Sequence, residues 1–296
     1  MNYSQIADIS PQKFVSKPLF DINQPIEKDL KYPKISVITP SYNQADYLER
    51  TILSVLNQNY PNLEYIIMDG GSTDRSVEVI KKYEKHLTSW VSQKDNGQAA
   101  AINEGFRKAT GDLICFQNSD DVFTEGAFQA VLKAYRANTK AGVFYGNLML
   151  IDENDIAYEV LKVMPFSMNS LVFEGMQCHN QAFFFKKELL EKYGYLNENF
   201  RFAFDYEIMS RFGIEKSVEK VLVDDLWGAF RIHSDSKTSN ISQVGLKEHA
   251  QIKAEYAKKL KSPFSERMIY YFCRIRKLLY FILKGDFAYL KYRKSL

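Results

Sequence analysis

A mostly parallel α/β sheet with helices on both faces is the fold this chain predicts. Three observations predict it. Short apolar runs alternate with amphipathic helical stretches as far as Asp121. Those runs are apolar throughout rather than alternating, which suits strands covered on both faces. Acidic residues stand just after them, at the strand ends where open parallel sheets bind ligands.

The elements follow in order. Ile35 to Thr39 reads as a strand, stopped by Pro40. A helix from about Ala45 to Leu56 sets Leu48, Ile52, Val55 and Leu56 on one face. Tyr60-Pro61-Asn62 breaks it, and Leu63 to Met68 forms a second strand ending in Asp69-Gly70-Gly71. Ser72 or Thr73 is placed to cap the next helix, with Val77, Ile80 and Tyr83 on its apolar face. A short strand at Trp90-Val91 precedes the turn Asp95-Asn96-Gly97, a helix from Gln98 to Lys108 and a strand from Leu113 to Phe116. That strand runs into Asn118-Ser119-Asp120-Asp121, so Asp69, Asp95 and the Asp120-Asp121 pair share one rim.

From about residue 140 the pattern is mixed. Val143 to Ile151, Gln181 to Phe185, Val218 to Val223 and Ala229 to Ile232 read as strands, and Asp205 to Arg211 as a helix. Segments 241–260 and 264–294 read as helical. Residues 1–33, polar and carrying Pro11, Pro18, Pro25 and Pro33, read as an extension lying on the core or partly mobile. The expected organisation is therefore an extension (1–33), a domain (34–240, in halves 34–122 and 123–240) and a C-terminal region (241–296).

The 296 residues are 46% hydrophobic and 25% charged, ordinary for one large globular domain with an appendage. The net charge of +3 is unevenly placed. Beyond residue 260 lie Lys261, Arg267, Arg274, Arg276, Lys277, Lys284, Lys291, Arg293 and Lys294, opposed only by Glu266 and Asp286. Aromatics interleave with these bases, a composition that suits an anionic membrane surface, a dimer contact or a helix packed on the domain. Cys115, Cys178 and Cys273 are far apart, which points to a reducing compartment rather than a disulfide framework. The start lacks a basic-then-apolar leader and no apolar run is long enough to span a bilayer. The expected location is cytoplasmic, peripheral on the inner membrane face if the tail binds lipid. No G-x-G-x-x-G or P-loop follows a strand, and no nucleic-acid reading motif accompanies the basic tail.

Asp120 and Asp121 carry the strongest chemical signal. Adjacent carboxylates repel, and a hard divalent cation such as Mg²⁺ or Mn²⁺, shared with a diphosphate, relieves the repulsion. A solvated turn before a helix is the bland alternative. Asp205 stands in Phe202-Ala203-Phe204-Asp205-Tyr206-Glu207. An aromatic surround desolvates a carboxylate and makes it a better base. A helix N-terminal acid is the alternative there. Asp224-Asp225 is a second acidic pair and a minor alternative base site.

ISVITPSYNQ (35–44), SVLNQNY (54–60), IIMDGGSTD (66–74), DNGQAAAINEG (95–105) and NSDD (118–121) occur in this order. The set resembles family 2 glycosyltransferases, inverting enzymes of the GT-A (Rossmann-like) fold, over roughly residues 34–240. The resemblance implies a divalent metal and a nucleoside-diphosphate sugar, a UDP-sugar by default. It places Pro40, Ser41 and Tyr42 at the base and Asp69 on base or ribose. Asp95, Gln98, Asn103, Asn118 and Ser119 would line nucleoside and sugar. Asp120 and Asp121 match the DXD-type motif, with Asp121 the direct metal ligand, and Asp205 matches the catalytic base. FRIHSDSKT (230–238) resembles a segment of an envelope-polysaccharide branch, with His233 a third metal ligand or a diphosphate donor and Lys237 and Arg231 phosphate partners; a surface loop is the bland alternative. His179-Asn180-Gln181 matches a polar patch for acceptor or donor sugar.

Where many members carry two acids, this chain has Asp69-Gly70. Processive members carry Q-x-x-R-W, absent here, so one sugar per encounter is expected. A saccharide or lipid-linked acceptor in cell-surface polysaccharide assembly is the implied partner. Two rivals stay open: a nucleotidyltransferase making sugar nucleotides, and a non-catalytic nucleotide-sugar-binding scaffold.

Overall fold

The computed structural model describes residues 3–24, 28–234, 236 and 242–295. Strands β1 (Ile35–Ser41), β2 (Leu63–Asp69), β3 (Ser89–Ser92) and β4 (Leu113–Phe116) form the first half of a nine-stranded sheet. Every pairing among them is parallel. Between them run α1 (Ala45–Leu56), α2 (Ser76–Lys82) and α3 (Gln98–Lys108).

The second half is built differently. It contains β5 (Val122–Phe123), α4 (Ala127–Ala137), β6 (Val143–Ile151), β7 (Ala157–Leu161), α5 (Met168–Phe173), β8 (Phe183–Lys186), α6 (Glu188–Tyr193), α7 (Phe204–Ile214) and β9 (Lys220–Arg231). Here β8 pairs antiparallel with β4 and β6, β7 with β6, and β5 with β9; only β6 and β9 are parallel. The expected mostly parallel sheet therefore holds through β4 and becomes mixed beyond it. After Asp121 the strand–helix alternation stops. Hairpin returns such as Asp152 to Ile156 replace the crossovers that parallel neighbours need.

Successive strand residues face opposite sides and build two cores. Val37, Ile67, Cys115 and Trp227 meet Leu48, Ile52, Leu56, Phe128 and Val131 of α1 and α4. Ile38, Ile66, Ile114 and Phe185 meet Ile102, Phe106, Leu171 and Met209 of α3, α5 and α7. Each fully buried aliphatic side chain contributes about 1.5–3 kcal/mol of transfer free energy. The N-terminal extension lies on the core: Ile6, Phe14 and Val15 bury against Met149, Ile151 and Val160.

Two local readings change. Neither Ser72 nor Thr73 caps α2; both brace the loop beside β1, and α2 begins at Ser76. The two strands read at 218–223 and 229–232 are one strand, β9, whose register against β6 shifts beside Asn147. Asp224 and Asp225 mark the irregularity. Asp224 accepts a hydrogen bond from Asn147 (2.9 Å) and pairs with Lys284 (2.5 Å), a structural use for that acidic pair. Among the described residues the C-terminal region forms three helices, α8 (Ser242–Leu260), α9 (Glu266–Leu283) and α10 (Phe287–Ser295). Gly285, at φ +71, turns the chain between the last two.

Candidate active site

The ends of β1 and β2 form the first wall. Pro40 and Ser41 are buried, while Tyr42 is 61% exposed and free to take a planar partner. The loop after β1 is locked to the loop after β2. Asn43, at φ +51, receives Thr73 N–H on its side-chain oxygen (2.8 Å) and donates its own N–H to Ser72 Oγ (2.8 Å). Asp74 accepts from Ala45 N–H (3.0 Å) and so caps α1 from the neighbouring loop. Asp69, 2% exposed, accepts from Gly71 N, Ser72 N, Ser72 Oγ and Ser92 Oγ. Its carboxylate shapes this loop first, a role that leaves little of it for a ligand.

Gly70 explains the missing second acid. A Cβ there would stand 2.7 Å from Asp95 Oδ2. The Asp95 carboxylate, fixed by Gly97 N–H (2.8 Å), fills the space that a side chain at position 70 takes. Sequence reasoning saw the departure at 70 and placed Asp95 on the same rim, without seeing that the second fills the first.

The loop after β4 holds the acidic pair, and its two carboxylates have opposite surroundings. Asp121 is fully buried. Its Oδ2 accepts from Asn118 Nδ2 (2.9 Å) and Gln181 Nε2 (2.8 Å), and its Oδ1 from Arg231 N–H (2.9 Å). Burial, then the charge of Asp120, pushes its pKa up to about 8 against those three hydrogen bonds. Asp120 is the open one, its side chain 19% exposed and its Oδ2 3.2 Å from His233 Nε2. Asp121, expected as the direct metal ligand, is the buried carboxylate that anchors the loop through three hydrogen bonds, and Asp120 is the more exposed of the two. Gln98 joins the array by donating to Asn118 Oδ1 (2.8 Å). Ser119, 6% exposed, completes the turn.

Arg231 is not a phosphate partner. It is wholly buried, and its Nε donates to the Asp120 carbonyl (2.7 Å). Its Nη2 pairs with Asp155 (2.6 Å), which also pairs with Arg50 (2.8 Å). Arg231 thus grips the main chain of Asp120 and the side chain of Asp121 at once. Tyr47 covers this cluster, its ring 4.4 Å from that of His233 and 5.1 Å from the Arg231 guanidinium. Tyr47, Arg50 and Asp155 were missed from sequence. The only signal was Asp155 in the turn Asp152-Glu153-Asn154-Asp155, a common turn composition.

Carboxylate oxygen and imidazole nitrogen converging at Asp120 and His233 fit a Mn²⁺- or Mg²⁺-type cation. Among the described residues no group of three or more His, Cys, Asp or Glu gathers to hold a metal. A cation there would take its other ligands from diphosphate and water, as Mg²⁺ sites commonly do. Lys237 lies outside the described residues.

Asp205 is the second residue of α7, half-buried, with its Oδ1 accepting Tyr206 N–H (2.7 Å). Its charge is felt at Cys178, next to His179. Glu207 points away, as helix geometry expects, into an ion pair with Arg211. His179 is held down to about pKa 4 by burial and then by Lys277. Asn103 is corrected too. It is 1% exposed, and its amide is spent on Leu196 N–H, the Leu196 carbonyl and Glu198. It braces the 196–198 segment instead of lining a nucleoside pocket.

The family model described as "Glycosyl transferase family 2" matches residues 36–196. The chain belongs to glycosyl transferase family 2. An uncharacterised glycosyltransferase of Mycobacterium tuberculosis is 33% identical over 186 residues, 60% of this chain and 68% of that one. TuaG of Bacillus subtilis, provisionally named a teichuronic acid biosynthesis glycosyltransferase, is 34% identical over 124 residues, 41% of this chain and 49% of its own. Against relatives from Nostoc and Haemophilus influenzae the match covers only 38% of each. The fold agrees with the GT-A expectation. Staphylococcus aureus TarS 1-349 with UDP-GlcNAc superposes at TM-score 0.58 and 18% identity, covering 80% of this chain and 69% of that one. Mannosyltransferase PcManGT of Pyrobaculum calidifontis with GDP-Man and Mn²⁺ gives 0.57 and 18%, covering 86% and 71%.

Proposed function

We propose that the chain is an inverting, non-processive glycosyltransferase that moves one sugar from a nucleoside-diphosphate sugar to an acceptor hydroxyl. Family membership supports glycosyl transfer, and the observation that carries the reading further is the Asp120–His233 pair, a partly exposed carboxylate against a buried imidazole. It stands at 3.2 Å on the rim of the parallel half-sheet, braced from behind by Asp121 and Arg231. Asp120 and His233 hold a divalent cation, which offsets charge on the departing diphosphate when bound. Tyr42, Ser41 and Pro40 receive the base, with Asp95, Gln98, Asn118 and Ser119 along the nucleoside and sugar. Uridine is the default base.

Asp205 takes the proton from the acceptor hydroxyl. The acceptor oxygen forms its bond to the anomeric carbon while the carbon–oxygen bond to the diphosphate breaks. The diphosphate keeps the electron pair, and the configuration inverts. On this reading the chain works in the cytoplasm at the inner face of the membrane, in cell-envelope polysaccharide or lipid-linked oligosaccharide assembly. The similarity to TuaG supports that setting.

Thermal-shift binding of uridine, guanosine, thymidine and cytidine diphosphates, with and without Mn²⁺, tests the donor site. One nucleotide is expected to stabilise the protein only with metal, and Asp120→Ala to lose the effect. Stabilisation by none, with or without metal, overturns the site.

A further inference from the structure

Helix α9 has two apolar faces, and the protein covers only one. Ile269, Cys273 and Phe281 are buried. On that side Arg276 donates to the Pro165 carbonyl (2.5 Å), and Lys277 pairs with Glu174 (3.4 Å), tying α9 to α5 and its flanks. On the opposite side Met268, Tyr271, Phe272, Ile275, Leu279 and Ile282 are 38–55% exposed. Their spacing is that of one helical stripe, about 20 Å long at 1.5 Å per residue. Leu283, 85% exposed, adds to its end. Single exposed apolar residues are normal, but a continuous row of large ones marks an interaction surface.

Charge says what covers it. Arg267 and Arg274 flank the stripe and are exposed, as are Lys291 and Lys294 on α10; Arg274 has only a long contact to Glu174 (3.9 Å). The acids of this region are already engaged: Glu266 with Lys253 (2.9 Å) and Asp286 with Lys162 (2.5 Å). No described helix is long and apolar enough to cross a membrane. An apolar row with basic edges on a helix that does not span fits the plane of anionic headgroups.

We propose that α9 docks flat on an anionic lipid surface, its stripe at the headgroup–acyl boundary and Arg267 and Arg274 on lipid phosphates. The docked surface adjoins the half that carries Asp205, because α9 packs on α5, and α5 on α7, whose second residue is Asp205. Where it concerns the acceptor, the inference rests on the glycosyl-transfer reading: the hydroxyl that Asp205 meets is presented by a lipid-anchored glycan.

Co-sedimentation of the full chain with phosphatidylcholine vesicles, with and without phosphatidylglycerol, tests the docking. Anionic vesicles are expected to pellet the protein at least about tenfold better, since each surface cation contributes about 1 kcal/mol. Ile275→Glu/Leu279→Glu should abolish pelleting with an unchanged melting curve, because both side chains are exposed. Arg267→Glu/Arg274→Glu should abolish the preference for anionic lipid. Equal pelleting of wild type and the Ile275/Leu279 variant overturns the proposal. So does a wild-type dimer by light scattering that this variant turns into a monomer while vesicles bind neither. Nucleotide stabilisation in the same samples reports the donor site separately. Vesicle binding without it keeps the docking and removes the glycosyl-transfer reading; the reverse does the opposite.

Discussion

The two halves of the sheet reach the same rim by different routes. In the first half each strand is followed by a helix, all pairings are parallel, and the loops brace one another locally, as Asn43 with Ser72 and Thr73. In the second half the strands are mostly antiparallel, and the braces span long sequence distances: Arg231 to Asp121, Asn103 to Leu196, Gln181 to Asp121. On the proposed reading the first half presents donor-side groups, and the second half supplies His233, the buttress behind Asp120, and Asp205. Donor binding and acceptor activation should therefore separate by mutation.

The largest effects test that separation directly. Asp205→Asn keeps the shape and removes the proposed base. Transfer should fall roughly 10²–10⁴-fold, while metal-dependent nucleotide binding stays intact. Asp120→Ala should lose the metal-dependent binding and roughly 10²–10³-fold in rate. Calorimetric titration with the nucleotide that stabilises wild type, beside initial rates, reads both. If Asp205→Asn also lost nucleotide binding, the division of labour would be wrong.

Asp155 tests whether the buttress belongs to the fold or to the metal. Asp155→Asn leaves the buried Arg231 guanidinium without its carboxylate, which should cost about 3–5 kcal/mol in denaturant unfolding. Residues supporting a metal ligand typically change metal affinity 10–100-fold, so Mn²⁺ should bind at least about tenfold more weakly at temperatures where the variant is still folded. Lost stability with wild-type Mn²⁺ affinity would make the cluster purely structural.

The same contrast explains what was legible. In the first half, Pro61 and the Gly70-Gly71 and Asn96-Gly97 turns separate the elements, and α1, α3 and β4 run from the residue expected to the residue expected, whereas β1 passes through Pro40, read as its stop, to Ser41. In the second half, β9 carries Asp224-Asp225 in mid-strand, so its apolar pattern reads as two strands. The site divides likewise. Asp120 and His233 could be singled out by residue type, and they do meet, at 3.2 Å. Their surroundings could not: nothing local tells that Asp121 faces three donors, that Arg231 is buried, or that Asn103 is spent on a segment 93 positions away.

Gly70→Ala sharpens the donor side. The added Cβ meets the end of a half-buried, flexible side chain, so the fold should tolerate it while Asp95 is displaced. If Asp95 contacts the nucleoside, losing one charged hydrogen bond should raise the donor KM about tenfold with kcat held, the signature of uniform binding. An unchanged KM would remove Asp95 from the donor site.

The smallest effect is a pH slope at His179. His179 is neutral in the folded state down to about pH 4, burial and then Lys277 holding its pKa there against an ordinary value of 6.5. The unfolded chain therefore binds more protons between those values, and stability rises with pH across that window. Acidification from 6.5 towards 4 should progressively destabilise the protein as the unfolded imidazole charges and the folded one does not. His179→Gln removes the titrating group, so the fall in melting temperature between pH 6.5 and 4 should shrink by a few degrees, at roughly 2–4 °C per kcal/mol for a chain of this size. An identical slope in wild type and His179→Gln would mean that the folded imidazole takes up its proton as readily as the unfolded one. That would place the ring at an open surface, where an acceptor reaches it through solvent.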